Sequence, residues 1–298
     1  MALLILLYEV IKIKTFYIKQ GQNSMFKRIK IENNICTIQN LSEKTKIKKV
    51  EKIAKKLSKL GVKTVIISKS LHENENFVNA LKFYNITIFD GGWIGQYIIE
   101  DIIQYIEAKK MEFKKYEISI LANDLTEEVK GNIKELINKF KRIKIVTNHS
   151  ERFKKLEKDL YEQNGVPIII SNNKKKTLIK SELIINFDFV EEDINKYAIN
   201  ENAIILSLNE KIKVNTKRFN GIIITDYEVG YNDIPDESNI EKKDFYNKEI
   251  LEEKIYNESL QRVQLSEVNC TRFEVVRNII KEYKIVIECI YGKNGKLF

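Results

Sequence analysis

From Glu117 to Thr225 the sequence keeps one rhythm: a short β-branched strand, an amphipathic helix, then another strand. Strands are read at 117–121, 143–147 and 166–171, with helices at 126–140 and 151–163 between them, the second ended by Gly165. Three more strands follow with shorter connections, at 183–186, 203–208 and 221–225. Strands joined by helical crossovers of one hand fall into a parallel sheet covered on both faces. The rhythm therefore predicts six parallel strands in one sheet and excludes an all-helical or all-β fold.

Upstream, the pattern is again α/β but on a smaller scale. Strands are expected at 26–32 and 35–39 around an Asn33-Asn34 turn. A helix capped by Ser42 runs to about Leu60 and is closed by Gly61; it carries Ile47, Val50, Ile53, Ala54 and Leu57 on one face. A strand at 62–68, a helix at 73–84, a strand at 86–89, the sharp turn Asp90-Gly91-Gly92 and a helix at 94–110 complete this part. Apolar and charged residues alternate from Glu9 to Lys19, which suits a strand. Residues 1–24 are set apart as an N-terminal extension, with Met25 as an alternative start of translation. The expected division is thus the extension, an N-terminal α/β domain at 25–112, the doubly wound domain at 113–230, and a linker with a C-terminal helical segment at 231–298. In that last part Pro235 sits in an acidic loop, helices are expected at 248–264 and 272–282, and residues 285–291 fit a strand or a helix end equally.

Composition removes several function classes. Only 7 of the 51 basic residues are arginine, and the lysines are spread along the chain, so the net charge of +9 describes a solvated surface better than a nucleic-acid face. Cys36, Cys270 and Cys289 lie far apart with no CxxC pair, and His72 and His149 are the only histidines. No structural metal or disulfide framework is expected, and a reducing, cytoplasmic location fits. The apolar run 2–8 is too short for a membrane span, and it lacks the flanks of a signal peptide.

The strand order and spacing resemble the six-stranded dinucleotide-binding, Rossmann-like fold. The segment 143–156 reads IKIVTNHSERFKKL, and 183–186 reads LIIN. Over about residues 115–228 these resemble the NAD(P)-binding domain of the shikimate dehydrogenase and glutamyl-tRNA reductase families. Thr147, Asn148, Ser150, Glu151, Arg152 and Leu156 match those families in type. The resemblance implies that the loop after the second strand holds the adenosine ribose, and that the end of the fourth strand faces a nicotinamide. His149 stands where those families place a phosphate-clamping arginine, and Phe187 and Asp188 stand where they place small residues. Their catalytic lysine–aspartate pair or cysteine nucleophile has no counterpart in residues 25–110.

The phosphate-binding turn departs furthest. In G-x-G-x-x-G the glycines turn the chain, admit a pyrophosphate and let helix pack on strand. Here the segment is Ala122-Asn123-Asp124-Leu125-Thr126. Its Cβ atoms fill that space, and Asp124 adds charge of the wrong sign; Asp124 or Thr126 is expected to cap the following helix instead. The cofactor-site candidates are Asn123, Asp124, Asn148, His149, Arg152 and Asn186. Around them the strand ends offer Ser171, Asn172, Asp188, Ser207, Asn209, Asp226 and Tyr227. The turn Asp90-Gly91-Gly92-Trp93 is read foremost as a tight turn, with close approach to a ligand as the alternative.

These residues favour a non-catalytic protein on a degenerate Rossmann-like fold, acting through a partner or a small ligand. An NAD(P)-dependent oxidoreductase with an atypical phosphate loop, using NAD or NADP, is the alternative. Nucleic-acid binding is a third and disfavoured reading.

Overall fold

The computed structural model of the chain describes residues 15–20, 29–32, 35–38, 41, 47–109, 117–165, 167–209, 212–215, 218–231, 242–265 and 270–297. The Asn33-Asn34 turn, the Ser42 cap, Met25 and the Pro235 loop lie outside the described residues. The chain divides into two compact units. One combines Met1–Trp93 with Asn232–Cys270, and the other combines Ile94–Tyr231 with Thr271–Phe298.

The first unit begins with β1 (Thr15–Gln20), β2 (Lys30–Glu32), β3 (Ile35–Ile38), helix α1 (Ile47–Lys59), β4 (Thr64–Ile67), α2 (Glu75–Phe83) and β5 (Thr87–Ile88). Its sheet has the order β2-β3-β1-β4-β5; β2 is antiparallel to β3 and the other pairs are parallel. Residues 15–20, grouped above with the N-terminal extension, therefore form the central strand, hydrogen-bonded to a neighbour on each side. Alternation explains why β1 can sit there. Phe16 and Ile18 point into the core with Val65 and Ile67, under α1 and α2, while Tyr17 and Ile66 point to the other face. The helix expected at 73–84 starts at Glu75. Asn74 caps it, its side chain accepting from the Phe77 N–H at 3.0 Å, and a separate turn Lys69–His72 precedes it. The helix expected at 94–110 is likewise a one-turn piece, Gly92–Gly95, followed by a longer helix.

That longer helix, α3 (Ile99–Ala108), belongs to the second unit, followed by β6 (Glu117–Leu121), α4 (Glu127–Leu136), β7 (Arg142–Val146), α5 (Ser150–Asn164), β8 (Ile168–Ser171), β9 (Leu183–Asn186), β10 (Ile204–Leu206) and β11 (Ile222–Gly230). The chain then returns to the first unit as α6 (Asn247–Leu265), and to the second as α7 (Arg272–Glu282), β12 (Val286–Gly292) and β13 (Gly295–Lys296). The second sheet runs β8-β7-β6-β9-β10-β11-β12-β13. In order of appearance its six parallel strands are arranged 3-2-1-4-5-6, as the sequence rhythm predicts for a doubly wound Rossmann-type sheet. Residues 285–291, ambiguous by periodicity, form an antiparallel strand that extends this sheet past β11.

Within the first unit, α6 covers the sheet face opposite α1 and α2. Phe245, Ile250 and Tyr256 pack with Tyr17, Ile66 and Phe89, and Phe245 meets Tyr17 edge-on at 5.4 Å. The helix is also held by a buried carboxylate. Glu252 accepts the N–H of Gly91 and, at 3.1 Å, the N–H of Trp93. Burial and the nearby Asp90 carboxylate push the Glu252 pKa up to about 8, although the two backbone donors pull it down.

Within the second unit, α7 lies against α4 at Gly131, where a Cβ would come within 2.2 Å of the Phe273 ring. A larger residue cannot stand there. Beside this contact Arg277, 5% exposed, joins three helices. It donates to Glu135 at 2.9 Å, Asp101 at 2.5 Å, Glu100 at 3.1 Å and the Tyr97 carbonyl at 2.9 Å.

Two expectations follow. Arg277→Leu leaves Asp101 and Glu135 without their cation and Glu100 with Lys139 alone. Loss of one partner of a buried ion network costs about 3–5 kcal/mol, so the calorimetric transition of the second unit should move down by roughly 10 °C; an unchanged transition would remove Arg277 from this role. The second concerns pH. A carboxyl whose folded pKa lies above its ordinary value stabilises the fold at low pH, and that contribution is lost as pH rises through the folded pKa. Wild type should therefore lose stability between about pH 4.5 and pH 8 relative to Glu252→Gln. Parallel pH–stability profiles for the two proteins would contradict the assignment.

Candidate functional site

In a doubly wound sheet the ligand crevice opens where the strand order reverses, beyond the carboxyl ends of the strands. In the second unit that point lies between β6 and β9. Two turns face each other across it: Ala122–Thr126 numbers 122–126 after β6, and Phe187-Asp188 after β9.

The β6 turn presents backbone N–H groups, as an anion site would, and they are already taken. The Asn123 N–H donates to both oxygens of Asp188, at 2.9 and 2.8 Å, and the Asp124 N–H donates to Asp188 Oδ2 at 3.0 Å. Burial pushes the Asp188 carboxyl above the ordinary carboxylate range. The two backbone donors pull it back, Asp124 adds a further push and His149 a further pull. The rest of the turn is engaged as well. Asn123 Oδ1 accepts the Asn148 N–H at 2.9 Å, which ties the end of β7 to the end of β6. Arg152 pairs with the Asp124 carboxylate, and its Nη1 lies 3.4 Å from the Asn123 carbonyl oxygen.

Of the two residues proposed to cap α4, Thr126 does so: its hydroxyl accepts the Val129 N–H at 3.3 Å. Asp124 faces solvent and Arg152 instead. The exposed pair has little energetic weight, but it neutralises the one cation at the turn. Two carboxylates and one paired guanidinium make the position unfavourable for a phosphate.

The other candidates divide into two groups. Asn148 and His149 are exposed at the end of β7, where His149 precedes α5 and its N–H donates to Thr147 Oγ1 at 3.0 Å. Asn186 is buried. Its amide donates to Ser207 Oγ at 3.0 Å and to the Phe189 carbonyl at 2.8 Å, and its Oδ1 accepts the Phe189 N–H at 2.9 Å. Asn186 thus shapes the β9 turn that aims Asp188, and both hydrogens of its amide nitrogen are used within the protein. Beyond β9 and β10 the space among Phe187, Leu206 and Leu208 amounts to about 10 Å³, room for one water molecule at most. Asn123, Asp124, Asn148 and Arg152 are therefore brought together, around Asp188. The sequence offered a sign of this: an acid where the resembling families carry small residues. Its partners, more than 60 residues away, were not legible.

The turn Asp90-Gly91-Gly92-Trp93 of the first unit repeats the arrangement. Gly91 has a φ of +85°. The close backbone approach it permits is made by Lys248, whose side chain would lie 2.6 Å from a Cβ at that position. The turn's N–H groups go to Glu252, and the Gly92 N–H goes to Asp90 Oδ1 at 2.9 Å. Trp93 packs edge-on against Tyr256 at 5.2 Å. Beside it the fully buried Glu249 meets His72 Nε2 at 2.7 Å, and burial raises its pKa.

No family model matches the chain, and no curated protein matches it. Among solved structures it is similar to a D-isomer specific 2-hydroxyacid dehydrogenase from Lactobacillus delbrueckii ssp. bulgaricus in its NAD-complexed form. That match has 9% identity, covers 84% of this chain and 88% of that one, and has a TM-score of 0.31. A protein from Ralstonia solanacearum assigned as a D-3-phosphoglycerate dehydrogenase oxidoreductase matches at 7% identity, over 89% and 98% of the two chains, with a TM-score of 0.36. A protein from Trypanosoma cruzi assigned as an aspartate carbamoyltransferase matches at 11% identity, over 68% and 74%, with a TM-score of 0.26. Likenesses at this level carry no activity to this chain; its Rossmann-type strand order is read from its own sheet.

Proposed function

We propose that this protein works without a dinucleotide in its Rossmann-type crevice, and acts through a protein partner or a small ligand bound elsewhere. The single observation that carries this reading is the Asp188 carboxylate on the N–H groups of Asn123 and Asp124. A pyrophosphate would have to displace a carboxylate from donors at 2.8–3.0 Å, next to the carboxylate of Asp124. The glycine-free turn supports the reading, since the Cβ atoms of Asn123 and Asp124 stand where a pyrophosphate needs bare backbone. The three cysteines are free thiols, which fits a reducing, cytoplasmic location.

The second reading is an NAD(P)-dependent oxidoreductase with an altered loop. It draws support from the 3-2-1-4-5-6 strand order, and from the likeness of residues 143–156 to the ribose-binding segment of the shikimate dehydrogenase and glutamyl-tRNA reductase families. In that reading Asn148, His149 and Arg152 hold the adenosine end.

Thermal denaturation separates the two. A ligand at 100 times its Kd stabilises the folded state by about 2.7 kcal/mol. Millimolar NAD(H) or NADP(H) should leave the melting temperature unmoved in wild type. In Asp188→Ser the freed N–H groups should cost about 1–3 kcal/mol of stability, again without a cofactor-dependent rise. A rise of several degrees with any of the four nucleotides in wild type, arising from binding in the crevice, would establish the second reading and end the first.

A further inference from the structure

A groove of about 300 Å³ runs between α4 and α7 of the second unit, a volume at the lower end of the range for small-molecule sites. Its floor is Gly131 and what remains exposed of Phe273, a residue 4% exposed whose ring is packed on Gly131 and stacked with Tyr97 at 5.3 Å. Three ammonium groups line it: Lys130 and Lys134 from α4, and Lys281 from α7. All three residues are exposed, and among the described residues none of them has an ion-pair partner.

Carboxylates also line the groove, but most are committed. Glu274 closes the capping box of α7, accepting the Thr271 N–H at 2.8 Å. Glu135 is bound to Arg277 at 2.9 Å. Glu127, in the first turn of α4, is unengaged, and Glu274 keeps its charge although the Thr271 N–H holds it. Three unpaired cations thus outnumber the two anions Glu127 and Glu274. Lys130 and Lys134 are, moreover, a like-charge pair at i,i+4, a spacing that places both on one helix face and works against the helix unless a counter-charge is present.

We propose that this groove binds a small organic anion, one with a phosphate or carboxylate group held by Lys130, Lys134 and Lys281 and an apolar part lying in the cavity over Gly131. The groove shares no lining residue with the Asp188 turn, so a nucleotide-dependent rise in melting temperature that disappears when the three lysines are replaced belongs here, and one that survives belongs to the crevice. Cavity and charge act together here: the lysines supply attraction, and the cavity has room for a group larger than a free inorganic ion.

Phenyl phosphate and benzoate are suitable probes, since they share an apolar ring and differ in the charged group. Calorimetric titration at low ionic strength should show binding of at least one of them with a Kd of about a millimolar or tighter. The triple change Lys130→Ala, Lys134→Ala, Lys281→Ala should weaken it by about tenfold or more at an unchanged melting temperature, because the three side chains are exposed. A control triple change at Lys174, Lys175 and Lys176, equally exposed, should leave it unaltered. Which probe binds identifies the charged group. Absence of binding for both at about 10 mM, or equal affinity in wild type and the groove variant, would overturn the proposal; so would equal losses in groove and control variants, which mark unspecific charge attraction.

Discussion

At the switch point of the second sheet, the carboxylate of Asp188 reaches from the end of β9 to the N–H groups that follow β6. This contact decides the character of the whole edge. It fixes the β6 turn without glycine, it places negative charge where the fold can hold phosphate, and it depends on Asn186, whose amide and carbonyl oxygen pin the intervening turn to Phe189 and Ser207. Asn123 carries the tie onward to β7 through Asn148. Three strands are thereby laced together at their carboxyl ends by side chain–backbone bonds. In a cofactor-binding relative of the fold, the ligand itself can satisfy such groups.

The first unit reaches the same result with different residues. A turn with positive φ at Gly91 exposes N–H groups beyond β5, and Glu252 of α6 occupies them. Here the carboxylate also anchors a helix that arrives much later in the chain, Glu252 lying 161 residues beyond Gly91. The energetic cost lies in burial. Glu249 and Glu252 are almost wholly removed from water, and both are pushed toward the protonated form. In the second unit Arg277 resolves the corresponding problem differently, by bringing one buried cation to three carboxylates on or beside α3 and α4. Around Arg277, removal of charge from water is offset because each of the three carboxylates lies within 3.1 Å of the guanidinium.

Much of this architecture is legible in the sequence, for physical reasons. The strands at 117–121 and 183–186 are apolar runs of the length a buried parallel strand requires, and they appear where expected. Helices with lysine on one face and isoleucine or leucine on the other declare their orientation, as α1 does. Order within a sheet is another matter. That β1 is central, between β3 and β4, depends on contacts at long range that no local pattern encodes. The same limit hid the site. Asn123, Asp124, Asn148 and Arg152 could be placed at strand ends from periodicity, but Asp188 as the shared partner of the Asn123 and Asp124 N–H groups could not, because 64 or 65 residues separate the two sides. Arg277 gave no sequence signal at all: one arginine on an amphipathic helix resembles any other until three carboxylates surround it.

The glycine-free turn and the Asp188 carboxylate form one physical arrangement. A turn with outward N–H groups and no internal acceptor would leave donors unsatisfied, at a cost of about 1–3 kcal/mol for each buried one. An internal acceptor removes that cost permanently. An anion at this turn would have to compete with Asp188 and with the negative charge of Asp124. The helix start at Thr126 is capped by its own hydroxyl in the same way. The N–H groups of Asn123 and Asp124, the Asp124 carboxylate and the Thr126 hydroxyl thus each have a partner inside the protein.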